Sequence, residues 1–389
     1  MVKGVKGKRI RFLGVILGSA FIWGIPSISI SNSAYKVGAI FTLTGPASVL
    51  GEAQRKTVEM IEQWVHGAGG IDGHPLKVLV YDTGGDETKA ALALTKLVEK
   101  DEGVGVIGTS KYGIALSVMP IIGERKFLFI SCIGSIAVPR WAKWRSWVFQ
   151  VTGYRRGVEA IYGHMRKRRI AKIAILTPNS EFGRGARTDL IKLAPKYGIE
   201  IILDGKYSPE ERNMRVHVTK VKGTGAQALL NWSEGFSQVE VCRNWKDLRM
   251  KLPLYQGPAF GNKRRVKLAK GKAEGVLCPL QRLAMVEKLS IDDPQIPALI
   301  AYKYSFEKKF GMEASPSGGH VWDALWMIVE ALRIVGPDKK KIRGYLEKHI
   351  RNWPGVTGIF NLSKEDHRGL TKEAFIMGVV KKGKWELAP

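Results

Sequence analysis

The sequence is poor in acidic residues and in cysteine. It has 35 Asp and Glu against 62 Lys and Arg, which gives a formal net charge of +27. Its only cysteines, Cys132, Cys242 and Cys278, are far apart and show no metal-binding spacing. Because their number is odd, at least one lacks an intrachain partner. Cys132 and Cys278 lie in apolar stretches, so we expect both to be buried thiols.

The motifs of common enzyme classes are also missing. The sequence contains no G-x-x-x-x-G-K-[ST], no H-E-x-x-H and no G-x-S-x-G, and its seven histidines are scattered. Residues 103–108 match G-x-G-x-x-G, but they form a predicted strand instead of a loop that opens a helix. Asp82, Asp86 and Glu87 could form an acidic metal cluster, although a helix cap beside a strand end explains them more simply. The sequence therefore predicts no enzyme, no cofactor and no metal site.

No apolar run in the N-terminal region is long enough for an ordinary membrane span. The apolar stretch covers residues 12–25, whereas roughly 18–20 residues are needed to cross a bilayer. A basic segment precedes it, and Pro26 and small polar residues follow, which is typical of a secretory signal over residues 1–33. We expect cleavage near Ser33 or Ala34, with an uncleaved anchor as the alternative. No cysteine follows the stretch, so the sequence does not predict a lipoprotein.

The excess of positive charge has two interpretations. It could attract nucleic acid or anionic lipid, or it could form a solvated basic surface. The basic clusters at residues 166–169, 263–265 and 339–341 lie at predicted helix ends and turns, without a recognised nucleic-acid-binding motif. We therefore favour a solvated surface and expect no nucleic acid partner, with weak adhesion to anionic membranes as a consequence.

The stretch over residues 77–120 shows the architecture most clearly. An apolar strand over residues 78–81 ends in Asp82 and a glycine turn, and Asp86 can cap the helix that follows. A second strand over residues 104–107 ends in Gly108-Thr109-Ser110. Strands continue to alternate with helices up to residue 150, which predicts an α/β fold with a doubly wound parallel sheet.

The same rhythm starts again near residue 170, which predicts two doubly wound parallel-sheet lobes. The predicted division gives residues 34–151 and 278–357 to lobe 1, and residues 152–277 and 358–389 to lobe 2. The last part includes a closing pair of strands over residues 355–361 and 374–380. Three crossings between lobes form a hinge beside a cleft, where small ligands are expected to bind.

Hydroxyl groups and helix starts follow successive strands of the first lobe. Tyr112 and Gly113 come after Ser110 at the start of a helix, and Ser135 lies at the end of the next strand. Helix-start amides together with a hydroxyl can bind a carboxylate. Ordinary helix capping explains the same residues, and the sequence alone leaves both interpretations open.

Several segments resemble the type I periplasmic solute-binding proteins of branched-chain amino acid ABC transporters, the leucine/isoleucine/valine-binding type. The resemblance extends from Tyr35 to about Lys384 and rests on the order and spacing of six motifs. These are VGAIFTLTGPASVLG (37–51), GGIDGHPLKVLVYDTGGDETKAALALTKLV (69–98), GVIGT (105–109), NSEFGRGA (179–186), YKYSFEKKFG (302–311) and GVTGIFNLSKEDHRG (355–369). It implies a Venus flytrap in the periplasm that closes on a small solute and delivers it to a membrane permease.

The resemblance also implies a set of ligand-binding residues. Ser135 matches a hydroxyl that holds the ligand carboxylate, and the helix-start amides at Tyr112 and Gly113 share that role. Other pocket positions fall at Leu50, Phe182 and His320, and at Trp232 and Glu234 in the second lobe.

Two departures from the family pattern affect the expected ligand. The acid that neutralises the ammonium group of an amino acid would fall at Ala259, so either Glu234 replaces it or the ligand is not an α-amino acid. The family's frequent disulfide would need cysteines near Gly85 and Lys111, and both are absent. We expect a small carboxylate or amide, either an amino acid or an aromatic acid. A periplasmic receptor that signals to another protein is the alternative function.

Overall fold

The computed structural model describes residues 33–45, 48–133, 144 and 146–389. Its strands fall into a first group, β1 Tyr35–Phe41, β2 Leu76–Asp82, β3 Gly105–Gly108, β4 Phe129–Ser131 and β5 Val148–Gln150. A second group contains β6 Lys172–Pro178, β7 Glu200–Tyr207, β8 Ala228–Asn231, β9 Leu254–Gln256 and β10 Leu277–Gln281. The last strands are β11 Trp353–Pro354, β12 Ile359–Phe360, β13 Phe375–Lys381 and β14 Lys384–Leu387.

Eleven α-helices connect these strands in the described part of the chain. The first half contains α1 Ser48–Gly67, α2 Glu87–Glu99 and α3 Tyr112–Glu124. The second contains α4 Tyr154–Lys167, α5 Glu181–Leu193, α6 Arg215–Lys222, α7 Ser237–Asp247 and α8 Lys263–Leu268. Three more follow β10, α9 Ile296–Phe310, α10 Pro316–Val335 and α11 Lys339–His349. No helix within the described ranges is both long enough and apolar enough to cross a membrane.

The first sheet is entirely parallel, in the order β2-β1-β3-β4-β5. Helices α1, α9, α10 and α11 cover one face of it, and α2 and α3 cover the other. The sequence shows why α2 forms: Asp86 accepts a hydrogen bond from the Lys89 amide at 2.8 Å, and Leu94 and Leu97 are fully buried. Residues 105–108 are strand β3, which confirms that the G-x-G-x-x-G match is not a nucleotide loop.

The second sheet has the order β14-β13-β10-β9-β8-β6-β7. Strands β6 to β10 are parallel, whereas β13 and β14 are antiparallel additions at one edge. Helices α4 and α5 pack on one face, and α6, α7 and α8 pack on the other. One parallel sheet and one mostly parallel sheet, each with helices on both faces, confirm the predicted fold class.

The division into lobes stays a prediction, but the strand positions shift two of its boundaries. Strand β10 belongs to the second sheet, so the chain leaves that sheet after Gln281 and not at 277/278. Phe360, Leu362 and Leu370 are still buried in the core of the first sheet, so the chain returns near Phe375 and not at 358. The predicted closing pair is also wrong, because β12 pairs with β11 and β13 pairs with β10 and β14.

Candidate ligand-binding cleft

The first wall of the cleft is the start of α3, at the carboxyl end of β3. Lys111 lies at the position before the helix, and its side chain makes no capping hydrogen bond to the first turn of α3. A Cβ at Gly113 would lie 2.3 Å from Glu87 Oε1, the end of an exposed side chain that would have to shift. The Ser110 hydroxyl has a structural role, since it accepts from the Thr42 amide at 2.9 Å and donates to Gln54. Tyr112 is the first residue of α3.

The second wall includes Phe182 in the first turn of α5. Ser180 caps this helix by accepting a hydrogen bond from the Gly183 amide at 3.1 Å. A Cβ at Gly183 would lie 2.0 Å from the Pro178 carbonyl oxygen, so only glycine allows the helix to start so close to β6. This tight start fixes where Phe182 lies, and its side chain is buried.

Trp232 extends the second wall just after β8. Its amide donates to the Leu176 carbonyl at 2.9 Å, which continues the pairing with β6. Its ring packs closely against Gly157 and Gly257. A Cβ added at Gly157 would lie 3.3 Å from the ring, and a Cβ added at Gly257 would lie 2.9 Å from it. The side chain is fully buried, and the indole Nε1 has no hydrogen-bond partner among the described residues.

Tyr154 completes an aromatic cluster at the start of α4. Its ring makes edge-to-face contacts with Phe182 and Trp232, at centroid distances of 5.5 Å and 6.4 Å. Burial raises the pKa of Tyr154 to about 12, which keeps the hydroxyl protonated at physiological pH. Tyr154 was not among the predicted site residues, although its place directly after the first crossing is readable from the sequence.

Three of the predicted site residues line one pocket. Tyr112 comes from the first half, and Phe182 and Trp232 come from the second. Tyr154 also lines this pocket, together with the carboxylates of Glu181 and Asp189. Helices α3 and α5 approach each other across the cleft, and the free volume is about 10 Å³, enough for one water molecule. In this conformation, the space between these residues is too small for an amino acid or an aromatic acid.

Glu234 lies beside this pocket, in an open groove of about 290 Å³ that Arg265 and Phe236 also line. Its side chain keeps contact with solvent, yet the surrounding protein raises the pKa of Glu234 by desolvation. The positive charges of Arg265 and Lys111 lower the pKa of Glu234 and so oppose this effect. Because Lys111 precedes α3 in the first half, these charges face each other across the cleft.

The position of Arg265 differs from the expectation that its basic cluster is solvated. The cluster at residues 263–265 was interpreted as solvated surface, but Arg265 is half-buried and donates to the Ala259 carbonyl at 2.6 Å. It also donates to the Glu234 carbonyl and to Gln238. Burial lowers the pKa of this guanidinium, and Tyr154 and Glu234 oppose that effect. The run of basic residues gave no sign of which one points inward.

The remaining predicted residues lie elsewhere. Leu50 is on α1 with 43% of its surface exposed, and it does not line the aromatic pocket. His320 is buried on α10, with Nε2 at 3.0 Å from Gln281 Nε2 at the end of β10. It therefore contacts the second crossing instead of the pocket. Ser135 lies outside the described residues.

The described residues also confirm that Cys132 and Cys278 are buried. All three cysteines are buried and free. In the described ranges, no group of three or more His, Cys, Asp or Glu side chains is placed to hold a metal ion. The Asp82 carboxylate instead stabilises the loop after β1. Its Oδ1 accepts a hydrogen bond from the Leu43 amide at 2.8 Å, and its Oδ2 accepts one from the Thr44 hydroxyl at 2.8 Å.

Comparison with known proteins places this chain in a family. A family model for periplasmic binding proteins matches residues 34–384. The leucine-, isoleucine-, valine-, threonine- and alanine-binding protein of Pseudomonas aeruginosa is 21% identical over 346 residues, covering 88% of this chain and 90% of its own.

Solved structures share the fold. An extracellular ligand-binding receptor from Rhodopseudomonas palustris superposes with a TM-score of 0.80 at 22% identity, covering 92% of this chain and all of its own. A second match is a branched-chain amino acid transporter substrate-binding protein from Streptococcus pneumoniae, solved in complex with isoleucine. It superposes with a TM-score of 0.73 at 19% identity, and the match covers 91% of this chain and 98% of that chain.

These matches define the class as two-lobed solute-binding proteins. The chain belongs to the periplasmic binding protein family. This is a family of binding proteins and not of enzymes.

Proposed function

We propose that this protein is the solute-binding component of an ABC importer. It would capture a small carboxylate or amide, either an amino acid or an aromatic acid, between the two sheets and deliver it to a membrane permease. The supporting observation is that Tyr112 of one half lines the same pocket as Phe182 and Trp232 of the other. Only a ligand that contacts both halves favours the closed state, and such a preference drives closure.

Each wall has a proposed role. The amides at Tyr112 and Gly113, with the Ser135 hydroxyl, would hold the anionic end of the ligand, because a helix start favours negative charge. Phe182 and Trp232 would cover the apolar part. The unpartnered indole N–H of Trp232 offers one further donor to a ligand oxygen.

The protein would act in the periplasm, which is where its family functions. We propose that residues 1–33 direct its export. Its basic surface would remain solvated, with weak adhesion to anionic membranes and no nucleic acid partner.

A thermal-unfolding screen of ligand-stripped protein tests the binding role. The panel contains amino acids, aromatic acids and short amides, and a ligand at a thousand times its Kd adds about 4 kcal/mol to the folded state. We expect at least one carboxylate or amide to raise the unfolding temperature. A panel without any such shift would argue against this function.

Combined Ser135→Ala and Phe182→Ala substitutions then test the site. We expect them to weaken binding of the screen's best ligand at least tenfold in calorimetry. Tyr304→Ala is a matched control, because Tyr304 is an aromatic residue on α9 with 51% exposure. Unchanged affinity in the folded double variant would place the ligand elsewhere.

A further inference from the structure

Arg265 holds a fixed positive charge at the second wall of the cleft. Nη1 donates to the Ala259 carbonyl at 2.6 Å and to Gln238, and Nη2 donates to the Glu234 carbonyl. Three separate segments therefore orient one guanidinium, namely the loop after β8, α7 and the turn after β9. A planar guanidinium held in this way keeps its position as the ligand changes, and its unused N–H groups can donate to an acceptor.

The carboxylates at the cleft already face protein cations. Glu234 interacts with Arg265 and, across the cleft, with Lys111. In the aromatic pocket, Asp189 Oδ1 lies 3.9 Å from Arg155 Nη1.

Glu181 also lines the aromatic pocket, and its carboxylate forms an ion pair with Arg184. Each carboxylate that lines the pocket or the neighbouring groove in the described ranges thus has a cationic neighbour. An incoming ammonium group would have to compete with these protein cations.

This arrangement matters because the relatives are amino acid-binding proteins by name. An α-amino acid carries an ammonium group next to its carboxylate, and burying that group without a free counter-charge costs several kcal/mol. Glu234 could have supplied the counter-charge, but Arg265 and Lys111 face it. Ala259, whose carbonyl accepts from Arg265, offers no charge.

We propose that Arg265 determines the specificity of the cleft, and that the ligand is a carboxylic acid without an α-ammonium group. The inference rests on the proposed function and narrows its ligand class. The acid end would bind at the start of α3, while the end that faces Arg265 would be neutral or anionic. Arg265 would repel an ammonium group and attract a second oxygen acceptor.

Calorimetry with matched pairs of acids tests this inference. The pairs are leucine and 4-methylpentanoate, phenylalanine and 3-phenylpropanoate, and aspartate and succinate, and the members of each differ only in the ammonium group. We expect at least one ammonium-free acid to bind at least tenfold more tightly than its amino acid partner. In Arg265→Met, this preference should fall about tenfold.

Two further variants separate charge from structure. Arg265→Lys keeps the charge and should retain the preference, even if lost hydrogen bonds lower the unfolding temperature. Arg333→Met removes an exposed arginine on α10 that lines neither the pocket nor the groove, and this variant should bind as the wild type does.

The possible results distinguish the inference from the proposed function. Tighter binding of an amino acid than of its ammonium-free partner overturns only the inference, as does an unchanged preference in folded Arg265→Met. If neither these six acids nor any ligand of the thermal-unfolding screen binds, the proposed function fails together with the inference. If the screen finds only an amide, the inference alone fails.

Discussion

Asp323 provides a stringent test of how the first half is held together. This side chain on α10 is fully buried, and its two oxygens accept hydrogen bonds from the amides of Val356 and Thr357, each at 2.7 Å. Asp323→Asn keeps the shape but turns one acceptor into a donor, so one buried amide faces another N–H. An unsatisfied buried group costs about 1–3 kcal/mol, and we expect urea unfolding at pH 4 to show a loss of that size.

The pH dependence of this loss follows from the ionisation of Asp323. Burial raises the pKa of Asp323 to about 7, although hydrogen bonds from Thr357 and Val356 act in the opposite direction. The folded protein therefore binds this proton more tightly than the unfolded chain. The wild type then loses stability as pH rises from about 4 to about 7. Asp323→Asn lacks this titration, so the difference between the two proteins should narrow over that range.

Exposed Asp292 supplies the control, since Asp292→Asn should leave the unfolding free energy within about 0.5 kcal/mol of wild type. A difference between wild type and Asp323→Asn that widens with pH would contradict the assigned ionisation. An Asp323→Asn variant as stable as the control would refute the role of the two hydrogen bonds.

Two further predictions concern other fixed points of the fold. Gly183→Ala should destabilise the protein by about 1–3 kcal/mol in urea unfolding, because its Cβ would meet the Pro178 carbonyl at 2.0 Å; a stable variant would contradict the tight helix start. Burial lowers the pKa of His320 to about 4, although a hydrogen bond with the Cys132 backbone opposes the shift. The stability of the wild type relative to His320→Gln should therefore fall as pH drops from 6.5 to 4, and parallel pH profiles would count against this assignment.

Local signals in the sequence were sufficient to predict the order of elements. The apolar run before Asp82 forms β2, and Asp86 caps α2 as its position predicted. These features depend on neighbours within a few residues, so they can be read without knowledge of the tertiary structure. The short strand β14, Lys384–Leu387, was missed because its pairing with β13 follows a tight turn in a polar segment.

The cleft was only partly predictable because its residues meet through tertiary packing. Phe182 and Trp232 were implied by the resemblance to the family, and the structure places both in the aromatic pocket. His320 was expected in the pocket but is not among the residues that line it, and its ring contacts Gln281 at the end of β10. Arg265 was missed for a similar reason: the burial of Val266 beside it sets the orientation of α8, and sequence alone does not show that contact.

Closure around a ligand is the central claim, and small-angle X-ray scattering tests it most directly. The measurement compares stripped protein with protein saturated by the ligand that gives the largest thermal shift. We predict a smaller radius of gyration with ligand in the wild type and in Tyr304→Ala. The double variant Ser135→Ala/Phe182→Ala should show no change at the same ligand concentration. An unchanged radius in wild-type protein with calorimetrically saturated ligand would contradict capture between the two halves.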